Sequence, residues 1–208
     1  MVRVRDTLEK EWDGLDTLIV CAGVSALQPL MTLTDSENAN PPSAQGVQRA
    51  ADIALAAIQG NYTGPLISAV TMIPTLERSP SPSILLVSSI GAIIPAPTRT
   101  LYGSSKSASL LLYQALSIEH PRIVFTYLLP STVQGSFRAS AVDGGPVRES
   151  DPNLHGLRKE DVARRAVRAL DAGEGAVFYP GWYRWVHLLY WAWPGLIEWG
   201  ARRKYKFK

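Results

Sequence analysis

Residues 83–109, SILLVSSIGAIIPAPTRTLYGSSKSAS, constrain the fold more than any other stretch of the chain. The apolar run at 84–87 is too short for a stable helix and is bounded by Pro82 and the pair Ser88-Ser89, so it reads as a buried strand. A loop containing Gly91, Pro95 and Pro97 follows, and a helical pattern then runs from near Thr98 to just before Pro121. Strand, loop and helix in that order set the end of a strand beside the first turns of a helix. In α/β proteins that is where polar groups meet a ligand.

Two serines mark the end of the strand. Tyr102 and Lys106 lie four apart and share one face of the helix. A free phenol titrates near pH ~10 and exchanges its proton poorly at neutral pH. An ammonium one turn away favours the phenolate and is expected to lower that value. Ser89 is placed to donate a hydrogen bond to a substrate oxygen on which charge develops. The set suits carbonyl reduction or alcohol oxidation, with Tyr102 moving the proton and a cofactor moving the hydride. Tyr-x-x-x-Lys alone also describes a surface tyrosine stacked over a lysine stem. The surrounding strand, Ser-Ser pair, loop and helix favour the catalytic reading.

In this order and spacing, Ser89, Tyr102 and Lys106 resemble the catalytic set of the short-chain dehydrogenase/reductases, and the resemblance extends over nearly the whole chain. It implies an α/β fold with a Rossmann-like parallel sheet and helices on both faces. It also implies an NAD(P)-dependent dehydrogenase or reductase, with NADP(H) or NAD(H) as cofactor and Lys106 also at the cofactor ribose. Thr17–Val20 reads as a short buried strand ending in Cys21-Ala22-Gly23. This resembles the end of the family's Asn-Asn-Ala-Gly motif on the adenine side of the cofactor. Ala22 and Gly23 match it; Cys21 replaces an asparagine whose amide bonds it cannot make. Cys21 itself is expected to be a small buried hydrophobe rather than a reactive thiol.

A long helix is expected at 47–77. Its first half is apolar on most faces, through Val47, Ala50, Ile53, Ala54, Ala57 and Ile58, which implies burial against the sheet and against a second subunit. Asn61 interrupts it. Pro65 has no N–H, so the carbonyl of Asn61 lacks its helical donor and can hold a water. The resemblance makes Asn61 part of a proton relay between Lys106 and solvent; the alternative is an ordinary helix defect at Asn-Tyr-Thr-Gly. Residues 123–128 read as the next strand. Beyond it, Pro130 and Val133 match family positions that contact the nicotinamide and its phosphates. Ser131 and Gly135 replace the glycine and threonine usual there.

Of the remainder, 2–12 reads as a helix with Val4, Leu8 and Trp12 on one side, and 32–46 as a polar loop. Residues 138–157 read as a lid over the site or as a disordered loop. Lys159–Asp171 reads as a helix presenting Val162, Ala163, Ala166, Val167 and Leu170, and Ala176–Tyr179 as a last strand. With 46% apolar and 19% charged residues, 208 residues fit a globular domain with a sizeable core. The net charge of +3 owes much to cations among the last seven residues, so nucleic acid is not an expected partner. A single cysteine excludes an internal disulfide and fits a reducing, cytoplasmic compartment.

Residues 1–180 thus read as a partial Rossmann-type domain and 181–208 as an aromatic and basic C-terminal segment. Five of the six tryptophans fall between Trp182 and Trp199, followed by Arg202, Arg203, Lys204, Lys206 and Lys208. The segment is too short, and too interrupted by His187 and Pro194, to span a bilayer. It reads as a helix in the membrane interface, a wall of the substrate pocket or a subunit contact. His187 has no ligand cluster around it and is read as a bystander, and no metal site is expected. The family's Thr-Gly-x-x-x-Gly-x-Gly turn is not found in the sequence. The chain is therefore expected to lack about three strands of the fold, leaving Thr17–Val20 as an exposed apolar edge with poor stability or solubility. Two functional readings follow. One is an oxidoreductase acting on a lipophilic carbonyl or alcohol, dimeric through the helices at 47–77 and 99–119. The other is a non-catalytic, shortened member that pairs with a full-length relative.

Overall fold

The computed structural model describes residues 1–36, 40–139, 141–144 and 151–206. In chain order the elements are α1 (Val2–Trp12), β1 (Thr17–Val20), α2 (Leu30–Leu33), α3 (Ala44–Ile58), a π-helical turn (Gln59–Thr63), α4 (Gly64–Leu76), β2 (Ser83–Val87), α5 (Thr100–Glu119), β3 (Val124–Pro130), α6 (Pro152–His155), α7 (Lys159–Asp171), β4 (Ala176–Tyr179), α8 (Tyr183–Ala192) and α9 (Pro194–Lys204). Helical crossovers between strands make the sheet parallel throughout, in the order β1-β2-β3-β4. Val20 is level with Leu86, Val87 with Leu128, and Pro130 with Tyr179. All four carboxyl ends therefore lie along one edge, as in a Rossmann-like fold.

Alternation along the strands divides the core. Ile84, Leu86, Phe125, Tyr127 and Leu129 face one way and meet Met72, Ile73, Leu76, Leu110 and Tyr113 of α4 and α5. Leu85, Leu128 and Val177 face the other way and meet Ala169, with Val162, Ala166 and Leu170 of α7 around it. Val167, expected on that side of α7, is half-exposed. The sheet is thus covered on both faces, with α7 packed mainly on β2 and β3. Ile19 is left 50% exposed on a strand that, among the described residues, pairs on one side only. The expected bare edge is present.

The helix expected at 47–77 begins earlier, at Ala44, because the Ser43 hydroxyl accepts a hydrogen bond from the Gly46 N–H at 3.0 Å. It is broken by the π-helical turn around Asn61. The extra residue of that turn falls immediately before Pro65, which cannot donate to the preceding turn. The Tyr113 hydroxyl donates to the Pro65 carbonyl at 2.9 Å, and the Tyr127 hydroxyl to the Tyr113 carbonyl at 3.1 Å, tying α4, α5 and β3 together. In α1 only Leu8 packs on the core; Val4 and Trp12 are exposed, so its apolar stripe is not a buried one. Glu9 holds the helix instead, accepting from the Thr75 hydroxyl at 2.8 Å and from the Arg78 guanidinium. Of the polar loop expected at 32–46, residues 37–39 lie outside the described residues, as do 140 and 145–150 of the expected lid.

Candidate active site

The carboxyl edge of the sheet gathers the residues singled out by the sequence. The Ser88 N–H still joins the ladder, donating to the Leu128 carbonyl at 2.8 Å. Ser89 follows in extended backbone, and its hydroxyl accepts from the Gly91 N–H at 3.1 Å, opening a single helical turn at Ile90–Ala92. That turn packs against the start of α5 so closely that a methyl group at Gly103 would lie 2.8 Å from the Gly91 carbonyl oxygen. The close approach brings the half-buried Tyr102 beside Ser89: a methyl group at Gly91 would lie 3.5 Å from Ser89 Oγ and 3.6 Å from the Tyr102 ring.

Lys106, one turn further along α5, is only 4% exposed. Its Nζ donates to the Val87 carbonyl at 3.2 Å. Burial pushes its pKa down to about 8, with Cys21 acting in the opposite direction. The sequence-based expectation for Tyr102 does not hold. Its pKa is raised, because burial of the phenol outweighs the nearby Ser89 hydroxyl and the charges of Arg99 and Arg138. The Lys106 ammonium is engaged with a strand carbonyl instead.

Asn61 is fully buried at the π-helical turn. Its Oδ1 accepts from the Val24 N–H at 2.9 Å, and its Nδ2 donates to the Val24 carbonyl and to the Ser105 hydroxyl, each at 3.0 Å. The Ser105 hydroxyl donates in turn to the Tyr102 carbonyl at 2.9 Å. The loop after β1 closes the arrangement. A Cβ on Gly23 would lie 2.8 Å from Asn61 Oδ1 and 3.0 Å from Lys106 Nζ, so only glycine lets this backbone pass between them. Ala22 and Cys21 are both exposed. The buried position expected for Cys21 is not found, because it follows the end of an edge strand whose outer side has no cover among the described residues.

On the opposite side of the edge, Pro130 is buried at the end of β3, and Ser131 extends the ladder by donating to the Tyr179 carbonyl at 2.8 Å. Val133 forms a parallel bridge with Leu157. The segment that follows runs to Tyr102: the Phe137 ring meets the phenol edge-on at 6.2 Å, and Arg138 donates to the Thr132 hydroxyl at 3.1 Å. Arg99 stacks over the Tyr102 ring at 5.7 Å and donates to the Ser25 hydroxyl at 3.1 Å. Asp143 pins the segment to the loop after β1, accepting from the Gln28 N–H at 2.7 Å and from the Leu27 N–H. Arg99, Ser105, Phe137, Arg138 and Asp143 were not anticipated. Arg99 and Ser105 stand three residues either side of Tyr102, a helical spacing that flags them; the other three reach the site through a loop that carries no periodic signal.

A nicotinamide cofactor fits the end of this site that Lys106 and Gly23 form: a buried cation beside glycine backbone at the carboxyl ends of parallel strands. The Gly-rich turn that would take its pyrophosphate is not in the sequence.

Comparison with known proteins agrees with the fold. Residues 1–143 match the family model described as short chain dehydrogenase. The chain is 22% identical to 11-beta-hydroxysteroid dehydrogenase A of Arachis hypogaea, over 98% of this chain and 57% of that protein. It is 26% identical to 11-beta-hydroxysteroid dehydrogenase-like 3 of Arabidopsis thaliana, over 94% of this chain and 57% of that one. The chain thus spans little more than half the length of these relatives. Among solved structures, a short chain dehydrogenase from Burkholderia cenocepacia in complex with NADP aligns with a TM-score of 0.66 at 20% identity, covering 95% of this chain and 73% of the other. A short-chain dehydrogenase from Sphingobium yanoikuyae in complex with NADPH aligns with a TM-score of 0.65 at 22% identity, covering 94% and 69%.

Proposed function

The chain belongs to the short-chain dehydrogenase family, and on that premise we propose that it is an oxidoreductase moving hydride between NADP(H) or NAD(H) and a carbonyl or alcohol of a lipophilic substrate. The observation that carries this reading is Tyr102 set beside Ser89 at the carboxyl edge of the sheet, with the buried Lys106 one helical turn on. When bound, the nicotinamide supplies or accepts the hydride. In the reductive direction the Tyr102 Oη proton passes to the substrate oxygen, and Ser89 Oγ donates a hydrogen bond to that same oxygen. With its pKa raised, the phenol holds its proton at neutral pH, so Tyr102 enters the reductive direction protonated but as a weak acid. Lys106, with a pKa of about 8, is mostly protonated at neutral pH and presents its charge where the ribose would lie. Asn61, beside Lys106 across Gly23, takes the relay role toward solvent. Ala22, Gly23, Pro130 and Val133 border the cofactor. The bound NADP and NADPH of the similar structures favour NADP(H), and the relatives' names favour a steroid-like, lipophilic substrate.

A second reading has its own support. The outer faces of α4 and α5 leave Ile67, Val70 and Leu111 about half or more exposed around an apolar groove lined by Leu66, Ile73, Leu112 and Leu116. This is the face through which the chain would form a homodimer, or, as a non-catalytic member, pair with a full-length relative. Titrating NADPH and following its fluorescence separates the two. For the enzyme, NADPH binds, and Tyr102→Phe retains that binding while losing ~10²-fold or more in reduction of a hydrophobic ketone. Undiminished turnover in Tyr102→Phe overturns the assignment, and absence of NADPH binding favours the passive partner.

A further inference from the structure

The hairpin formed by α8 and α9 has two unlike sides. Its inner side packs Tyr183, Val186 and Ile197 against the main core. Its outer side carries Trp182, Trp185, Trp191, Trp193 and Trp199, which are 55–75% exposed, with Leu188 and Leu196 more than half exposed beside them. So many large apolar groups on one surface mark a place of contact. The same segment bears Arg184, Arg202, Arg203, Lys204 and Lys206 against a single carboxylate, Glu198. Three of these cations fall in the last turn of α9, where the helix dipole also favours them, and the Arg203 guanidinium lies over the Trp199 ring at 5.5 Å.

We propose that this hairpin docks on an anionic phospholipid bilayer, with α8 and α9 lying in the headgroup plane, the indoles at the boundary with the acyl chains and the cations on lipid phosphates. Charge decides for lipid over a second copy of the chain, since two such surfaces placed face to face would repel. The residue type agrees, because an indole has an apolar body and one N–H that prefers to stay wet. Among the described residues no helix is long and apolar enough to cross a membrane. At ~1.5 Å per residue each helix of the hairpin spans only about half of a hydrocarbon core, so it lies along the surface rather than through it. The hairpin leaves β4 at the edge of the sheet where Ser89 and Tyr102 stand, so docking sets that edge near lipid. The docking surface does not depend on the chain being catalytic.

The test uses the full chain with Trp12→Phe, so that emission reports the hairpin alone, and vesicles of phosphatidylcholine with or without phosphatidylserine. Expected are co-sedimentation at least ~10-fold stronger with phosphatidylserine, weakening as salt rises, a blue shift of emission, and quenching by brominated acyl chains. Reversing Arg202, Arg203 and Lys204 to Glu should lower partitioning on the order of 100-fold, and Trp185→Ser with Trp191→Ser at least ~10-fold. Quenching in the chain with its hairpin unaltered stands even if a variant fails to fold. The proposal is overturned by absence of sedimentation and quenching with phosphatidylserine, or by equal binding to both vesicles that charge reversal leaves unchanged. It is also overturned by lipid-free self-association that the Trp→Ser changes abolish, which would make the hairpin a contact between copies.

Discussion

Lys106 shows how a side chain kept for chemistry weighs on the fold. Lowering its pKa from 10.5 to about 8 means that burial disfavours the charged form by about 3 kcal/mol. Between those two values the unfolded chain binds more protons than the folded one. Stability from this group therefore rises with pH from about 8 to 10.5 and is level outside that window. Lys106→Met should match or exceed the parent in urea midpoint at pH 7, and the difference between the two should shrink as pH rises through the window. A variant that is less stable by a constant amount at every pH would contradict this. Ser89, Tyr102 and Lys106 were legible because strand end and helix face fix their neighbourhood from local spacing. Their electrostatics were not, since a side chain's solvation depends on what covers it. The burial of Tyr102 comes in part from the segment holding Phe137 and Arg138, and the exposure of Cys21 from a sheet edge that no strand covers among the described residues.

At the scale of elements, the π-helical turn is the joint that matters. Asn61 and Pro65 made an interruption of the helix readable in advance, because proline removes a donor wherever it stands. The use made of the turn was not readable. The Asn61 side chain reaches back to Val24 and across to Ser105, partners that only the packed crossover supplies. Asn61→Ala should leave the Val24 N–H and carbonyl without their buried partner and cost roughly 2–4 kcal/mol in denaturant unfolding. A loss below ~0.5 kcal/mol would mean that the loop after β1 is held by other contacts. In α1 the pattern misled for a related reason: the spacing of Val4, Leu8 and Trp12 describes a stripe, but its two ends stay half or more exposed.

For the whole molecule, the weak place is β1. Half-exposed Ile19, on a parallel strand paired on one side among the described residues, is a template for a further strand. Ile19→Lys should suppress aggregation on heating, followed by light scattering, while changing the unfolding free energy by no more than ~0.5 kcal/mol. Undiminished scattering would put the sticky surface elsewhere, with the aromatic hairpin the next to test. The order of the strands across the sheet has a consequence of its own. Spatial order equals chain order, and the partners are far apart in sequence: Thr17 beside Ser83, Ser83 beside Val124, Tyr127 beside Ala176. During synthesis each strand leaves the ribosome after its docking partner and before its successor, so the sheet can be laid down in one direction, a row at a time. No slot has to be held open for a late arrival, and the growing flank stays sticky until translation delivers the next row.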